Sequence, residues 1–294
     1  MVAQPYAYVA NQSSNSVVVI NRETNLIVAT IPMSGAGLSG LAVLPNGMFV
    51  YVTQESKNLL AVISTATNVV VGSIPVGAGP VQVAFTPNGA WAYVLNSLAG
   101  TVSAINTASE EEVATVSVGT KPVAIAITPA GTQVLVSNMT SSTISVIGTA
   151  SNTVTATWPT LSGPSGIAVN GTKLYVTNQY AQALTVYNLA TGALLSTTLG
   201  FSAPNAVAVT PNGTQAYVTN GNTSSVWIVN TSTLAVEAKI AAGLLPTAVA
   251  ISADGLTAYV TSGYGYTLTV IDVATQLVTE VIHKVGVYPF SVAL

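Results

Sequence analysis

Few side chains in this sequence could do chemistry. Its 294 residues include nine carboxylates, six cationic side chains, one histidine and no cysteine. General acid–base work wants two titratable groups with separated pKa values. A hard cation wants several oxygen ligands, normally more than one of them carboxylate. A nucleophilic serine needs a base within reach, and none is visible in the pattern. Without cysteine there is no thiolate nucleophile, Cys-type zinc site or disulfide framework. His283 stands alone and cannot build a histidine-centred site for zinc or haem. No catalytic residue, metal or cofactor is therefore expected.

The charge pattern narrows the partners. Only 5% of the residues are charged, where roughly 25% is usual, so Ser, Thr, Asn and Gln must solubilise the surface. A net charge of −3 excludes a nucleic-acid footprint and a polybasic membrane patch. Half of the residues are apolar, but 24 Gly and 14 Pro break them into short pieces. A bilayer helix needs about 20 mostly apolar residues in a row, so no transmembrane segment is expected. The start, Met1-Val2-Ala3-Gln4-Pro5, lacks the charged and apolar regions of a signal peptide. A surface poor in Lys and Arg suits an extracellular, cell-surface or periplasmic protein whose leader is absent from this sequence.

What must position any site is a repeat. Tyr93-Val94-Leu95-Asn96 recurs as Tyr8-Val9-Ala10-Asn11, Tyr51-Val52-Thr53-Gln54, Leu135-Val136-Ser137-Asn138, Tyr175-Val176-Thr177-Asn178, Tyr217-Val218-Thr219-Asn220 and Tyr259-Val260-Thr261-Ser262, at spacings of 43, 42, 42, 40, 42 and 42. An apolar residue follows each first position by 12 residues, from Ile20 to Ile271. An alanine in an apolar setting (Ala42, Ala84, Ala126, Ala168, Ala208, Ala250, Ala293) marks a third anchor, with proline four residues before all but Ala42, where Leu38 stands instead.

Each unit reads as four short strands; in the third, 81–85, 91–95, 101–106 and 113–118, with 107–112 a turn. Asn46-Gly47, Asn88-Gly89, Asn170-Gly171, Asn212-Gly213 and Asp254-Gly255 are hairpin signals and suggest type I′ turns, whose two central residues need φ > 0. No stretch shows a helical period. The predicted fold is all-β: a seven-bladed β-propeller with four antiparallel strands per blade. Alanine suits an inner strand where blades converge, and proline suits an inner edge whose first N–H needs no ladder partner. The chain begins at a second strand and ends in a first one, 289–294, which should complete the N-terminal blade in a three-plus-one closure. All of 1–294 is then one domain, with blades near 1–36 plus 287–294, 37–78, 79–120, 121–162, 163–202, 203–244 and 245–286.

The Tyr-Val-Thr-Asn segments at 175–178 and 217–220, with the Pro-headed alanine strand, resemble the signature of the YVTN family of β-propeller repeats. That resemblance covers essentially the whole chain. It implies a surface-layer, cell-surface or periplasmic propeller acting as a structural or interaction module, without fixing a function. Our first expectation is a non-catalytic module for a protein or carbohydrate ligand. The alternative is a propeller-type enzyme, lyase or lactonase-like, with its site at the channel mouth.

Any ligand site belongs at the face where loops between second and third strands and the blade-to-blade connections surround the channel. The repeated amides there, Gln54, Asn96, Asn178 and Asn220 among them, read in two ways: a polar ring for a sugar or peptide, or side chains that satisfy their own loops. Repetition in every blade favours the second, because site chemistry normally breaks symmetry. The residues that break it are Glu55, Lys57, Lys121, Gln179, Tyr180, Phe201, Tyr264, Tyr266 and Tyr288. Aromatics beside amides suit carbohydrate or peptide recognition, or are ordinary loop packing. The run Glu110–Glu112 reads as a solvated turn on the opposite face.

Overall fold

The computed structural model describes residues 5–35 and 37–294. Among them are seven four-stranded antiparallel sheets, because short β-branched runs separated by turn residues can pair only with their neighbours in sequence. The inner strands, in blade order, are Pro289–Ala293, Leu38–Val43, Pro80–Phe85, Pro122–Ile127, Pro164–Asn170, Pro204–Val209 and Pro246–Ile251. Blade 1 continues with Tyr6–Asn11, Ser16–Asn21 and Leu26–Pro32, so the C-terminal strand does pair beside the N-terminal one: Tyr8 faces Ala293, Val9 faces Val292 and Ala10 faces Ser291. Helix is confined, among the described residues, to two three-residue 3-10 turns, Glu55–Lys57 and Gly221–Thr223. No helix of the described residues is long and apolar enough to cross a membrane.

The core is a ring of seven wedges rather than one centre. Each hydrophobic cluster joins two adjacent blades, as where Tyr51, Leu60 and Val62 of blade 2 meet Val83, Val94 and Ile105 of blade 3. The tyrosine that heads the repeat is buried in six blades, each ring contributing about 1.5–3 kcal/mol by leaving water. Burial pushes the hydroxyls of Tyr8, Tyr51, Tyr93 and Tyr217 up to about 12. Tyr93 donates to Asn152 Oδ1 of the next blade at 2.9 Å. The repeated alanine packs on the opposite side of its strand from the residue before it: Leu41 joins the wedge with blade 1 and Ala42 the wedge with blade 3.

Two expectations about local structure are corrected. In the hairpins only the glycine has positive φ (76° at Gly47, 70° at Gly89), so these turns are not type I′. Gly47 N–H donates to Leu44 O at 2.7 Å, and Asn46 Oδ1 accepts from Met48 N–H at 2.9 Å. That is a type I turn with proline at its second position and glycine at its fourth, which the Pro-Asn-Gly order favours. Glu111 and Glu112 belong to the outer strand Glu111–Ser117, leaving Glu110 in the turn at φ 57°.

The Thr of the repeat has a backbone task. Just after its first residue every inner strand bulges, as where Leu38 pairs with Gln54 and Leu41 with Val52, leaving Ser39 and Gly40 opposite Thr53. Thr53 Oγ1 accepts from Gly40 N–H at 2.8 Å and donates to Gly40 O at 3.1 Å. Thr177 does the same for Gly166, and Thr261 for Ala248. A bulge strips a residue of its ladder bonds and re-aims its side chain; here it turns one residue per blade towards the channel and the neighbouring blade.

Candidate functional site

The channel holds a cavity of about 660 Å³. Its wall is a collar of seven branched aliphatic side chains, one per blade: Val292, Leu41, Val83, Ile125, Ile167, Val207 and Val249. Above the collar lie the residues the bulges re-aim, and three of them are tied to the next blade. Ser165 Oγ donates to Pro204 O at 2.8 Å, Asn205 Nδ2 to Pro246 O at 3.2 Å, and Thr247 Oγ1 to Pro289 O at 2.8 Å. Gln82 Oε1 accepts from Ile125 N–H at 2.8 Å, and Gln179 Nε2 donates to Asn205 Oδ1 at 2.8 Å. These bonds stitch inner strands that share no sheet.

The rim is built from one position, the residue just before each inner strand. It is left-handed in all seven blades: Tyr288 (φ 59°), Gly37 (80°), Gly79 (65°), Lys121 (52°), Gly163 (70°), Ala203 (48°) and Leu245 (53°). Where it is glycine, a loop side chain can lie over it. A Cβ on Gly163 would stand 2.6 Å from the ring of Tyr180, and one on Gly79 2.4 Å from Leu98 Cγ. Where it is not glycine, its own side chain occupies the rim. Tyr288 packs edge-on against Tyr264 with centroids 5.4 Å apart and stacks with Phe290 at 6.3 Å. Burial raises the pKa of Tyr288 above its ordinary value, and Tyr264 adds to the rise. Tyr180 donates to Met139 Sδ at 3.5 Å.

The structure separates the residues that the sequence grouped at this face. Lys121, Tyr180 and Tyr288 line the cavity, as does Gln179, with exposed Tyr264 packed behind Tyr288. Tyr266 is exposed at the end of its loop. Gln54 and Lys57 instead border a groove of about 520 Å³ between blades 1 and 2, beside Met33, Val70 and Val71. Glu55 stands behind Ser39, whose Oγ donates to Glu55 Oε2 at 3.4 Å. Phe201 is buried against Trp227, centroids 5.0 Å apart.

The amides follow the second of their two readings, as supports of their own loops, and so leave the set of solvent-facing ligand candidates. Gln54, Asn96, Asn178 and Asn220 are all buried, because each secures the strand pair and the connection entering its own blade. Asn96 Nδ2 donates to Ser103 Oγ at 2.9 Å and Asn178 Nδ2 to Thr185 Oγ1 at 2.8 Å. Gln54 Nε2 donates to Ser34 O at 2.9 Å, while Asn220 Oδ1 accepts from Ser202 N–H at 3.1 Å. A Cβ on Gly77 would sit 2.6 Å from Asn96 Nδ2, so the connection passes directly over the amide.

The cavity residues that sequence reasoning missed include Gln82, Met139, Asn205, Leu245 and Phe290. Their signal was present as departures within aligned columns. Asn205 follows its proline where other blades carry Ser, Thr, Val or Phe, and Leu245 precedes one where three blades carry glycine. Among the described residues no three His, Cys, Asp or Glu side chains gather to hold a metal ion. The carboxylates distant from the mouth are held by their own loops. Hydrogen bonds from Ser252 and the Leu256 amide keep Asp254 below its ordinary pKa, and the Thr275 hydroxyl and amide do so for Asp272.

The fold and its channel define a seven-bladed propeller with one asymmetric mouth. The sequence model of the family described as "Lactonase, 7-bladed beta-propeller" matches residues 64–211, half of the chain, and the protein belongs to that family. No curated protein matches the chain by sequence. Similar solved structures include hydrazine synthase of Kuenenia stuttgartiensis (TM-score 0.84, 20% identity, 92% of this chain and 93% of that chain). A functionally unknown protein from Desulfotomaculum acetoxidans has TM-score 0.87, 17% identity and 98% coverage of both chains. Dihydro-heme d1 dehydrogenase NirN, in complex with DHE, has TM-score 0.71 and 14% identity over 96% of this chain and 74% of that one. At these identities the likeness is one of fold.

Proposed function

We propose that the protein binds a lactone, or the hydroxy acid formed when the ring opens, at the channel mouth. The observation that carries this reading is the cavity of about 660 Å³ lined by residues at which the repeat departs from symmetry, Lys121, Tyr180, Leu245 and Tyr288. Membership of the lactonase family supports a lactone as the ligand. The wall offers what small-molecule sites use, an apolar body with a few convergent polar groups. Ring opening would need a water activated near the carbonyl and charge stabilised on its oxygen. Glu55, which accepts from the cavity-lining Ser39, supplies a carboxylate beside this wall, and Lys121 supplies the cation.

Purified protein given aliphatic and aromatic γ- and δ-lactones, with proton release followed by pH-stat and binding by calorimetry, tests the reading. Saturable binding that is lost in Tyr288→Ala supports it, and proton release that falls at least tenfold in Glu55→Gln adds hydrolysis. Absence of binding by every lactone and its acid sinks it. A second reading, a non-catalytic interaction module displayed outside the cytoplasm, is favoured by the solvent-facing outer strands, where Leu26, Ile27, Val28, Val69, Val70 and Val71 are exposed.

A further inference from the structure

We infer that the ligand of this mouth is a monoanion with an apolar face, and that Lys121 is the residue that selects it; the inference rests on the mouth being a small-molecule site. Among the described residues Lys121 is the single charged side chain lining the cavity. Three of the other lysines are used by the fold: Lys57 donates to Ser34 Oγ at 3.1 Å, Lys173 to Thr231 O at 3.3 Å, and Lys239 lies 3.8 Å from the Trp227 ring centroid. Among the described residues Lys121 Nζ takes part in no hydrogen bond or ion pair. Its ammonium is exposed beside a wall that holds no carboxylate.

The backbone gives a second, independent reason. Lys121 occupies a left-handed position, φ 52°, that blades 2, 3 and 5 fill with glycine. Glycine adopts this conformation freely, and a side chain there adds strain. At the same position Leu245 offsets the strain by lying over Gly221, and Tyr288 by lying over Gly263. The ammonium of Lys121 is exposed and unpaired. Non-glycine residues held in left-handed backbone are among the features that gather at ligand-contacting positions.

The rest of the mouth sets the body of the ligand. Ser165, Asn205 and Thr247 spend hydrogen bonds on the neighbouring blade, as Gln82 does with its Oε1, which leaves a polyol few free side-chain groups besides Gln82 Nε2. Tyr180, Leu245 and Tyr288, of blades 5, 7 and 1, supply apolar surface around the same cavity. Charge at one point and apolar faces around it fit a carboxylate on an aromatic or branched aliphatic body, either a lactone carrying a carboxylate or its ring-opened acid. Lys121 acts as a point charge without the forked geometry an arginine would impose.

The test uses phenylacetate, with 2-phenylethanol as its neutral counterpart and gluconate as the polyol acid, titrated calorimetrically into wild type, Lys121→Ala, Lys121→Gly and Lys121→Arg, with thermal melting of each. Wild type should bind phenylacetate at least threefold tighter than either comparison compound, with the margin over 2-phenylethanol shrinking as salt rises. Lys121→Ala and Lys121→Gly should lose that margin, Lys121→Arg should keep most of it, and Lys121→Gly should melt at or above Lys121→Ala. Equal binding of phenylacetate and 2-phenylethanol by wild type, an unchanged phenylacetate affinity in Lys121→Ala, or Lys121→Gly melting below Lys121→Ala would overturn the inference while leaving the mouth a ligand site. Gluconate binding as tightly as phenylacetate would overturn the apolar face alone. Binding of none of these compounds and of no lactone would remove both the inference and the reading beneath it.

Discussion

Thr53 shows how much a single hydroxyl does in this fold. It serves both backbone groups of Gly40 at the bulge, at 2.8 and 3.1 Å, and is wholly buried. Replacing it by valine keeps the shape and strands a buried N–H and C=O, a loss of about 1–3 kcal/mol. Thr53→Val should therefore lower Tm by several degrees and Thr53→Ser should restore most of it; equal melting of wild type and the valine variant would refute the assignment. Ala10 and Leu95 stand in this column in blades 1 and 3, so the loss should be local and the variant should still fold. The buried tyrosines make a pH prediction. The hydroxyls of Tyr8, Tyr51, Tyr93 and Tyr217 lie at about 12 when folded, against an ordinary tyrosine value of 10.0. A raised folded pKa means that their contribution is complete below pH 10 and is lost as pH climbs towards 12. Unfolding followed by circular dichroism should occur between those values together with tyrosinate absorbance at 295 nm. Ionisation of these rings without any loss of structure would contradict it.

Among elements, the inner and outer strands solve opposite problems. The inner strand must approach six others around an axis, so it carries alanine, bulges near its start, and sends Ser165, Asn205 or Thr247 across to the next blade. The outer strand has a free edge, which natural sheets blunt with charges, prolines or bulges. Every outer strand here has a register shift after its third strand's fourth residue, leaving Val28, Val71 or Leu195 as the extra residue. The strand that closes the ring should be indispensable. Pro289–Ala293 pairs with Tyr6–Asn11, and Val292 belongs to the wedge with blade 7. Deleting residues 289–294 should abolish cooperative melting and expose surface that binds an apolar dye, and the same six residues added as a peptide should partly restore both. A truncated chain that melts like wild type would show that the clasp is dispensable. Most of the elements were legible from the repeat, down to third strands such as Thr101–Asn106. The hairpin type was not, because Asn-Gly also fits a type I turn when proline precedes it and shifts the glycine to the fourth position.

At the scale of the whole molecule, stability is distributed over seven like interfaces. Joining Leu294 directly to Met1 puts Leu294 eight residues before Tyr8, the interval that separates Val43 from Tyr51. A permuted chain opened between Ser117 and Pro122 should fold to the same circular-dichroism spectrum but unfold faster, since every blade would then be one continuous segment and the ring would lose its clasp. Failure to fold would mean that the wheel depends on where its chain is cut. The same symmetry explains why function is harder to read than fold. Seven aligned copies amplify whatever the architecture needs, and a site is a small departure at a few positions.

The sequence by itself determined the blade count, the order of strands, the three-plus-one closure and the wedge residues, because pairing and burial follow from periodic patterns that repeat seven times. It also named Lys121, Tyr180 and Tyr288, whose types differ from those of their siblings. It favoured Asn96, Asn178 and Asn220 as supports of their own loops, which their burial agrees with. Only the tertiary structure decided that Gln54 and Lys57 border a separate groove, and that Asn205, Leu245 and Phe290 reach the cavity. The direction of a side chain at a bulge or a left-handed turn is set by local backbone twist and by the neighbouring blade, and both arise only when the ring has closed.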